Sequence, residues 1–226
     1  MPAWLRVPRV LQEGGGDPFL ESEACDDPPA RGFLERQDAS FLAALRGLRP
    51  APGKFLVLGC GTGRLALKLA QAWPGSEVTG VDRSGPALEE CLEKARRLGL
   101  VGRVWFQEGD ACRLDLPERS FDAALSDGLL HHLAEPARMF AGIRRAVRPG
   151  GVVLLRDPER PLRPFWAALL GRRRPAAPGP LRDLWAASAA AGYTWEELRA
   201  LCSGSPLAGA STRRDPDGTL VLERRF

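Results

Sequence analysis

Val57-Leu58-Gly59-Cys60-Gly61-Thr62-Gly63 is the stretch that decides the fold. It lies between a short apolar segment, Lys54–Leu58, and a segment of helical periodicity at 64–73. Glycines at such a junction let the backbone approach a ligand closely, and the first N–H groups of a helix are free to bind it. Dinucleotide-binding loops read G-x-G-x-x-G, whereas this loop reads G-x-G-x-G and has Arg64 where that pattern needs glycine or alanine. The loop alone indicates a ligand site and leaves the ligand class to the residues downstream.

Apolar strands and helices alternate along the chain on either side of this loop. Five apolar strands separated by helices predict an α/β fold, a doubly wound, mostly parallel sheet with helices on both faces. Two alternating segments flank the turn Asp215-Pro216-Asp217-Gly218 and predict a C-terminal β-hairpin, which brings the sheet to seven strands. The predicted strands are Lys54–Leu58, 77–81, 103–107, 121–125, 151–155, 207–213 and Thr219–Arg225, and the predicted helices are 32–48, 64–73, 84–98, 136–147, 183–191 and 194–202.

The length of 226 residues predicts a single domain. We divide it into an N-terminal segment and helix (1–50), a core (51–157), an Arg/Pro-rich insertion (158–192) and a C-terminal helix and hairpin (193–226). With 44 % apolar and 27 % charged residues, the composition excludes a wholly disordered chain. No apolar run approaches the roughly 20 residues of a membrane span and no secretory signal is present, so we expect a cytoplasmic protein.

Arginine dominates the basic residues, since all but three of the 32 (Lys54, Lys68 and Lys94) are arginines, and the net charge is +4. A GC-rich coding sequence explains this bias; the alternative is nucleic-acid binding, because arginine grips phosphate with two hydrogen bonds. The 28 acidic residues offset most of the charge and disfavour a nucleic-acid partner. The five cysteines include no CxxC pair and fit neither a disulfide framework nor a zinc site, so no metal is expected.

Acidic or small polar residues stand at the ends of the next three strands. Asp82 ends the second strand, 19 residues after Gly63, where a carboxylate can accept hydrogen bonds from both hydroxyls of a ribose. Asp110 follows the third strand and can accept from an exocyclic amine such as that of adenine. Ser126 and Asp127 follow the fourth. Because open α/β sheets bind ligands at the carboxyl ends of their strands, these residues predict a site at that edge.

In this order the motifs resemble those of the class I S-adenosylmethionine-dependent methyltransferases, over about residues 54–157. The resemblance implies a Rossmann-like methyltransferase fold, methyl transfer as the activity and S-adenosyl-L-methionine as the cofactor. Two of the motifs, Leu130-His131-His132-Leu133 and Val147-Arg148-Pro149-Gly150-Gly151, are similar to those of the small-molecule group that includes ubiquinone- and menaquinone-biosynthesis enzymes. The stretch Asp157-Pro158-Glu159-Arg160-Pro161 resembles a motif of a subgroup of small bacterial members. The motifs are Leu58-Gly59-Cys60-Gly61-Thr62-Gly63, Gly80-Val81-Asp82-Arg83-Ser84, Glu108-Gly109-Asp110-Ala111, Phe121-Asp122-Ala123-Ala124-Leu125-Ser126, Leu130-His131-His132-Leu133 and Val147-Arg148-Pro149-Gly150-Gly151.

Carried over residue by residue, the resemblance implies that the core (51–157) binds the cofactor. The implied contacts are Gly59, Cys60, Gly61 and Gly63 on the methionyl part and the ribose, Asp82 on the ribose hydroxyls, Arg83 over the adenine, Asp110 on the adenine amine, Ala111 on a ring nitrogen through its backbone, and Ser126 and Asp127 near the methionine end.

One position departs from the family pattern. The family has Asp or Glu two residues before the first glycine, an acid that helps to anchor the methionine amino group, whereas this chain has Val57. The departure predicts weaker cofactor binding, or compensation by Asp127 or by the N-terminal segment. It also leaves open a protein that binds S-adenosylmethionine with little catalysis.

The candidate catalytic residues follow the fourth strand. Methyl transfer from a sulfonium is an in-line displacement, so a base is needed only where the nucleophile carries a proton. His131 and His132 are the only histidines, and histidine suits proton transfer near neutral pH; their alternative interpretation is packing and helix-start chemistry. Asp127 is a further candidate, and Asp157 is a rival base whose alternative interpretation is turn formation.

The substrate must be inferred from the segments around the core. Residues 156–174 hold six arginines against two acids, a local excess that equals the net charge of the chain. This predicts a small, anionic acceptor, or docking on RNA or a membrane surface, and the alternative is an exposed loop. An RNA or protein methyltransferase is disfavoured because no Asn/Asp-Pro-Pro-Tyr/Phe motif follows the fourth strand. The sequence leaves the oligomeric state open.

Overall fold

Seven strands pair into one sheet in the computed structural model of the chain, which describes residues 5–10, 28–163, 165 and 181–226. The strands are β1 (Lys54–Leu58), β2 (Glu77–Asp82), β3 (Val104–Glu108), β4 (Phe121–Asp127), β5 (Val147–Pro158), β6 (Ser211–Arg214) and β7 (Thr219–Arg225). Their order is β3-β2-β1-β4-β5-β7-β6; the first five are parallel, and β7 is antiparallel to both β5 and β6. The predicted mostly parallel sheet with a C-terminal hairpin is confirmed.

Helices connect these strands and cover both faces of the sheet, where two clusters of buried apolar side chains form the core. Across the described ranges, none of the helices has the length and apolar character needed to span a membrane. The helices are α1 (Pro28–Gly47), α2 (Arg64–Ala72), α3 (Gly85–Arg97), α4 (Pro136–Ala146), α5 (Leu181–Ala191) and α6 (Trp195–Ser203), and a 3₁₀ turn covers Leu130–His132.

Two element boundaries differ from the sequence prediction. α1 begins at Pro28, earlier than predicted, because proline is tolerated in the first helical turn, where its missing N–H costs nothing. β6 begins only at Ser211, because Leu207 is fully buried in a preceding turn, where its N–H donates to the Ser205 hydroxyl at 3.1 Å. The apolar side chain of Leu207 therefore packs in the core, and the residue lies outside the strand.

A bulge lies at the start of β5, where the sequence predicted only the end of a helix. Val147 pairs with Phe121, and the register shifts before Val152 pairs with Ala123. A Cβ on Gly151 would lie 2.6 Å from Val147 Cγ1, so only glycine fits where the bulged backbone folds against itself.

The strand order reverses between β1 and β4. β1 pairs with β2 on one side and with β4 on the other, so the connections after β1 and β4 leave the sheet in opposite directions. In open α/β sheets this switch point forms a crevice at the carboxyl ends of the strands, where ligands bind. The topology therefore brings the glycine loop and the segment after β4 to one place.

Candidate functional site

A cavity of about 440 Å³ opens at this switch point. Its volume falls within the roughly 300–1,000 Å³ of small-ligand pockets. Of the residues singled out from sequence, it is lined by Gly59, Cys60, Gly61, Asp82, Arg83, Asp127, Ala111, His131 and His132. Gly63, Asp110 and Ser126 are not among the described residues that line it.

The glycine loop is held in a left-handed conformation that brings backbone to the cavity surface. Gly59, Gly61 and Gly63 have φ values of 64°, 51° and 81°. A Cβ on Gly59 would lie 2.9 Å from Leu129 Cδ1, and one on Gly63 would lie 2.8 Å from Cys91 Sγ. Glycine is therefore required at position 59, where the loops that follow β1 and β4 are in contact. Gly63 packs against Cys91 and is not among the described residues that line the cavity.

Cys60 is a buried thiol of the same loop. A hydrogen bond with Cys91, followed by burial, raises the pKa of Cys60 far above its ordinary value. The thiol stays protonated near neutral pH, so it fills space and does not act as a nucleophile.

Asp82 joins the ends of β1 and β2. Its Oδ2 accepts the N–H of Gly61 at 2.7 Å, and its Oδ1 accepts the N–H of Ser84 at 3.0 Å. A carboxylate has about four lone-pair sites, so these two bonds fix its orientation and leave acceptor capacity toward the cavity.

Asp110 shapes the third strand end instead of facing the cavity. Its Oδ1 accepts the N–H of Cys112 at 2.8 Å, which closes a local turn. This turn holds Gly109 and Ala111 against the cavity, so the backbone there lines it while the Asp110 carboxylate does not.

Asp127 lies at the end of β4 between two guanidinium groups. Its Oδ2 is 3.6 Å from Arg64 Nη2, and its Oδ1 is 3.7 Å from Arg156 Nε. Arg64 also contacts the buried Asp38 of α1. Ser126, one residue earlier, is buried in the sheet. The end of β4 thus carries alternating charges of both signs.

His131 and Asp157 form a buried pair beside the cavity. The imidazole Nδ1 is 2.5 Å from Asp157 Oδ1, and the His131 backbone N–H donates to Asp157 Oδ2 at 3.0 Å. The two side chains are 2 % and 3 % exposed. The sequence suggested each residue separately as a base, and the structure brings them together.

One wall of the cavity comes from helices that the sequence did not assign to the site. Leu184, Trp185 and Ser188 of α5 and Leu34 of α1 line it. Trp185 packs edge-on against Phe33 of α1, with ring centroids 5.1 Å apart. The tryptophan in the weakly periodic 183–191 segment was the available signal, because a large aromatic there needs a partner to cover it.

The arginines at the start of 156–174 turn inward. Arg156 is 1 % exposed and donates from Nη1 to the Gln37 carbonyl at 3.0 Å and from Nη2 to Gln37 Oε1 at 2.5 Å. Arg160 is buried and pairs with Glu197 at 2.6 Å. Their charge is used inside the fold, and Arg172, Arg173 and Arg174 lie outside the described residues.

Comparisons with known proteins find methyltransferases over the segment that forms most of this cavity. A family model described as a methyltransferase domain matches residues 55–151, the segment from β1 to the bulge of β5. This match covers less than half of the chain, and it agrees with the resemblance of the motifs to those of the class I S-adenosylmethionine-dependent methyltransferases. The matched segment holds the ends of β1, β2, β3 and β4 beside the cavity, whereas Pro158 at the end of β5 lines the cavity from outside the match. The cofactor of the matched family is S-adenosylmethionine.

Three curated methyltransferases show the range of relatives. The demethylmenaquinone methyltransferase of Thermus thermophilus is 37 % identical over 50 % of this chain and 51 % of its own length. The malonyl-[acyl-carrier protein] O-methyltransferase of Xylella fastidiosa is 31 % identical over 46 % of this chain and 34 % of its own. The 27-O-demethylrifamycin SV methyltransferase of Amycolatopsis mediterranei is 32 % identical over 55 % and 46 %. The chain therefore spans only about half, or less, of these relatives.

Solved structures extend the likeness over nearly the whole fold. A SAM dependent methyltransferase from Aquifex aeolicus has a TM-score of 0.67 at 17 % identity, covering 93 % of this chain and 99 % of that one. The YcgJ protein of Bacillus subtilis has a TM-score of 0.58 at 24 % identity, covering 77 % and 69 %. At these identities the likeness shows the fold alone.

The residues present fit the family's cofactor. Gly59 and Gly61 place loop backbone at the cavity surface, Asp82 offers a half-exposed carboxylate with spare acceptor sites, and Asp127 and Arg64 offer opposite charges for an amino acid group. Val57, which replaces the usual acid, lines the cavity with an apolar side chain and has no carboxylate to supply that contact.

Proposed function

We propose that this chain transfers the methyl group of S-adenosylmethionine to a small-molecule acceptor. The observation that carries the proposal is the single cavity in which the glycine loop, the Asp82 carboxylate and a buried histidine–carboxylate pair meet. When bound, the cofactor supplies an electrophilic methyl group on a positively charged sulfur. The chain's own residues then have to bind the cofactor and the acceptor, orient them toward each other and exclude water from between them.

The nucleoside end of the cofactor lies, in this proposal, along the ends of β2 and β3. Asp82 accepts the ribose hydroxyls, because its backbone hydrogen bonds hold it rigid and leave lone pairs toward the cavity. Arg83 covers the adenine, and the turn closed by Asp110 presents the backbone of Ala111 to a ring nitrogen.

The methionine end lies between α2 and β4. Asp127 takes the amino group in place of the acid that Val57 replaces, and Arg64 takes the carboxylate. Both side chains line the cavity, and Asp38 and Arg156 balance them from behind. A zwitterion matches this paired arrangement of charges better than a phosphate does, which disfavours a dinucleotide.

The acceptor occupies the part of the cavity nearest α5. Leu34, Leu184 and Trp185 give this part an apolar wall, which excludes water and suits a small molecule with an apolar portion. The anionic acceptor expected from residues 156–174 gains no support from Arg156 and Arg160, because both are buried in internal contacts.

Calorimetric titration with S-adenosylmethionine, S-adenosylhomocysteine and NAD tests the cofactor assignment. Both sulfur nucleotides should bind and raise the melting temperature, since ligands of the folded state stabilise it. Binding of NAD alone would overturn the proposal in favour of a dehydrogenase.

The Asp82→Asn variant sharpens this test. Loss of the charged acceptor should weaken S-adenosylhomocysteine at least tenfold, because hydrogen bonds to charged groups contribute about 1.5–3 kcal/mol. Asp115→Asn, an exposed aspartate in the loop after β3, is the matched control and should bind as the wild type does. Equal affinity of the two variants would exclude the ribose role of Asp82.

A further inference from the structure

The buried pair of His131 and Asp157 fixes which nitrogen of the imidazole carries a proton. A carboxylate accepts hydrogen bonds, and Asp157 Oδ1 lies 2.5 Å from Nδ1, so the proton belongs on Nδ1. The second oxygen, Oδ2, accepts the backbone N–H of His131 at 3.0 Å and lies 3.2 Å from Nδ1. The carboxylate is thereby held by the backbone of the residue that it orients.

The opposite nitrogen of the ring, Nε2, is the one that remains for a ligand. It is buried, and no described residue makes a hydrogen bond to it. A polar atom left in this state costs free energy unless something else satisfies it. His131 lines the cavity, and its Cε1, the atom between the two nitrogens, would lie 4.0 Å from a Cβ on Gly128. The unpaired Nε2 is therefore the ring nitrogen that a ligand in this cavity would satisfy.

The groups around the pair place no described acid beside Nε2. The His132 ring packs on the His131 ring with centroids 3.9 Å apart, and Tyr193 lies close enough to Asp157 to sense its charge. Asp127, the other acid at the cavity, faces Arg64 and Arg156 instead of His131. The Asp157 carboxylate is thus the described acid that contacts the ring, and it does so at Nδ1, on the side opposite Nε2.

We infer that His131, positioned by Asp157, is the general base of the reaction, and that the acceptor is a hydroxyl compound or a carbon acid. The inference rests on the proposed methyl transfer. The acceptor gives its proton to Nε2, and its oxygen or carbon forms the new bond to the methyl carbon. The bond between that carbon and sulfur breaks, and its electron pair returns to the sulfur, which becomes neutral. The resulting imidazolium donates from Nδ1 to the Asp157 carboxylate, which balances its charge.

This assignment selects among acceptor classes. A neutral amine or a thioether attacks with a lone pair that it already has, and needs no base beforehand. A hydroxyl or a carbon between two carbonyl groups reacts well only after losing its proton. A buried, oriented base therefore assists methylation of a hydroxyl or a carbon acid and is not needed for an amine or a thioether.

Nitrogen NMR of the histidine rings tests the inference directly, because the chain contains only His131 and His132. The measurement uses the 226-residue chain, labelled with ¹⁵N-histidine and saturated with S-adenosylhomocysteine at pH 7.5, and His132→Gln assigns the signals. We expect His131 to carry its proton on Nδ1, with Nε2 unprotonated. A proton on Nε2, in either the neutral or the charged ring, would overturn the inference.

Asp157→Asn provides a nearly isosteric variant with a readout that a purely structural role would not move. The Asn oxygen should keep the bond from the His131 N–H, which leaves its NH₂ group facing Nδ1. Nδ1 then becomes an acceptor, and the proton should move to Nε2. An unchanged Nδ1–H ring in a folded variant would refute the positioning role; the wild-type spectrum decides the base assignment even if the variant does not fold.

Transfer of labelled methyl from S-adenosylmethionine to a panel of phenols, 1,3-dicarbonyls, amines and thioethers tests the acceptor class. Label should enter only hydroxyl and carbon-acid compounds and fall at least a hundredfold in His131→Gln. Label in amines or thioethers that His131→Gln retains would overturn the acceptor class. Failure to bind S-adenosylhomocysteine would instead sink the proposed function, so the two failures are distinguishable.

Discussion

Gly59 shows how one residue serves both the fold and the cavity. Its φ of 64° is a conformation that side chains disfavour, and a Cβ there would lie 2.9 Å from Leu129 Cδ1 and 3.1 Å from Leu129 Cβ. Leu129 belongs to the β4 loop, so a larger residue at 59 would separate the two loops between which the cavity opens.

Gly59→Ala should therefore lower the free energy of unfolding by about 1–3 kcal/mol, because it adds left-handed strain to overpacking. It should also weaken S-adenosylhomocysteine. Urea unfolding and calorimetry measure the two effects. Gly47→Ala is the control: no atom lies within 4 Å of its Cβ position at the end of α1, so stability should stay level or rise slightly. Equal stability of the two variants would contradict the strain argument.

At the scale of elements, Asp217 in the turn of the C-terminal hairpin stabilises the hairpin through its side chain. Asp217 Oδ1 accepts the Thr219 hydroxyl at 2.7 Å and the Thr219 N–H at 3.0 Å, and its Oδ2 is 3.9 Å from Arg156 Nη2. Burial raises the pKa of Asp217, but the two hydrogen bonds and the Arg156 charge outweigh it and leave the pKa below 3.8. The charged form therefore ties the turn to β7 and to the interior.

A depressed carboxyl pKa gives a defined pH dependence. The stabilisation by Asp217 should be complete above about pH 5 and disappear as the pH falls from 3.8 through the lower pKa of the folded state. Asp217→Asn should cost about 1–2 kcal/mol at pH 7 and progressively less below pH 3.8 in urea unfolding. Asp115→Asn should show no such convergence. A constant difference from pH 7 to pH 3 would disprove the assignment.

Sequence patterns predicted the helices and strands better than they predicted the contacts between side chains of different elements. The apolar runs at 54–58 and 121–125 and the turn before Thr219 were sufficient, because each is a local signal. The pairing of His131 with Asp157 was not foreseen, since it depends on the register between β4 and β5 and joins residues 26 positions apart. The role of Trp185 was missed for the same reason: its partner lies on α1.

At the scale of the whole molecule, an N-terminal strap (residues 5–10) ties the end of β5 to α5. Arg6 bridges to Leu162, and its buried guanidinium pairs with Glu159 at 2.9 Å. Arg9 donates to the Ala191 carbonyl at 2.9 Å and lies over the Tyr193 ring. Because α5 forms one wall of the cavity, the strap holds that wall in place from the far end of the sequence.

Arg6→Met should destabilise the protein by about 1–3 kcal/mol, since it removes charged hydrogen bonds from the interior. The loss stays below that of an orphaned charge because Glu159 retains Arg214 at 2.9 Å. S-adenosylhomocysteine affinity should fall as α5 loosens. Arg96→Met, on the exposed face of α3, should change unfolding by less than about 0.5 kcal/mol. A stable Arg6→Met protein with normal affinity would show that the strap does not support the wall.

The short outer strand β6 affects how readily molecules of this protein can associate through the edge of the sheet. A sheet edge with unpaired backbone groups is a template on which a second molecule can add a strand, and long apolar edges start fibrils in this way. β6 offers four residues, Ser211-Thr212-Arg213-Arg214, and its two arginines are engaged with Glu223 and Glu159. The hairpin that completes the sheet therefore ends this side of it in a short, charged strand, which disfavours the addition of a strand from a neighbouring molecule.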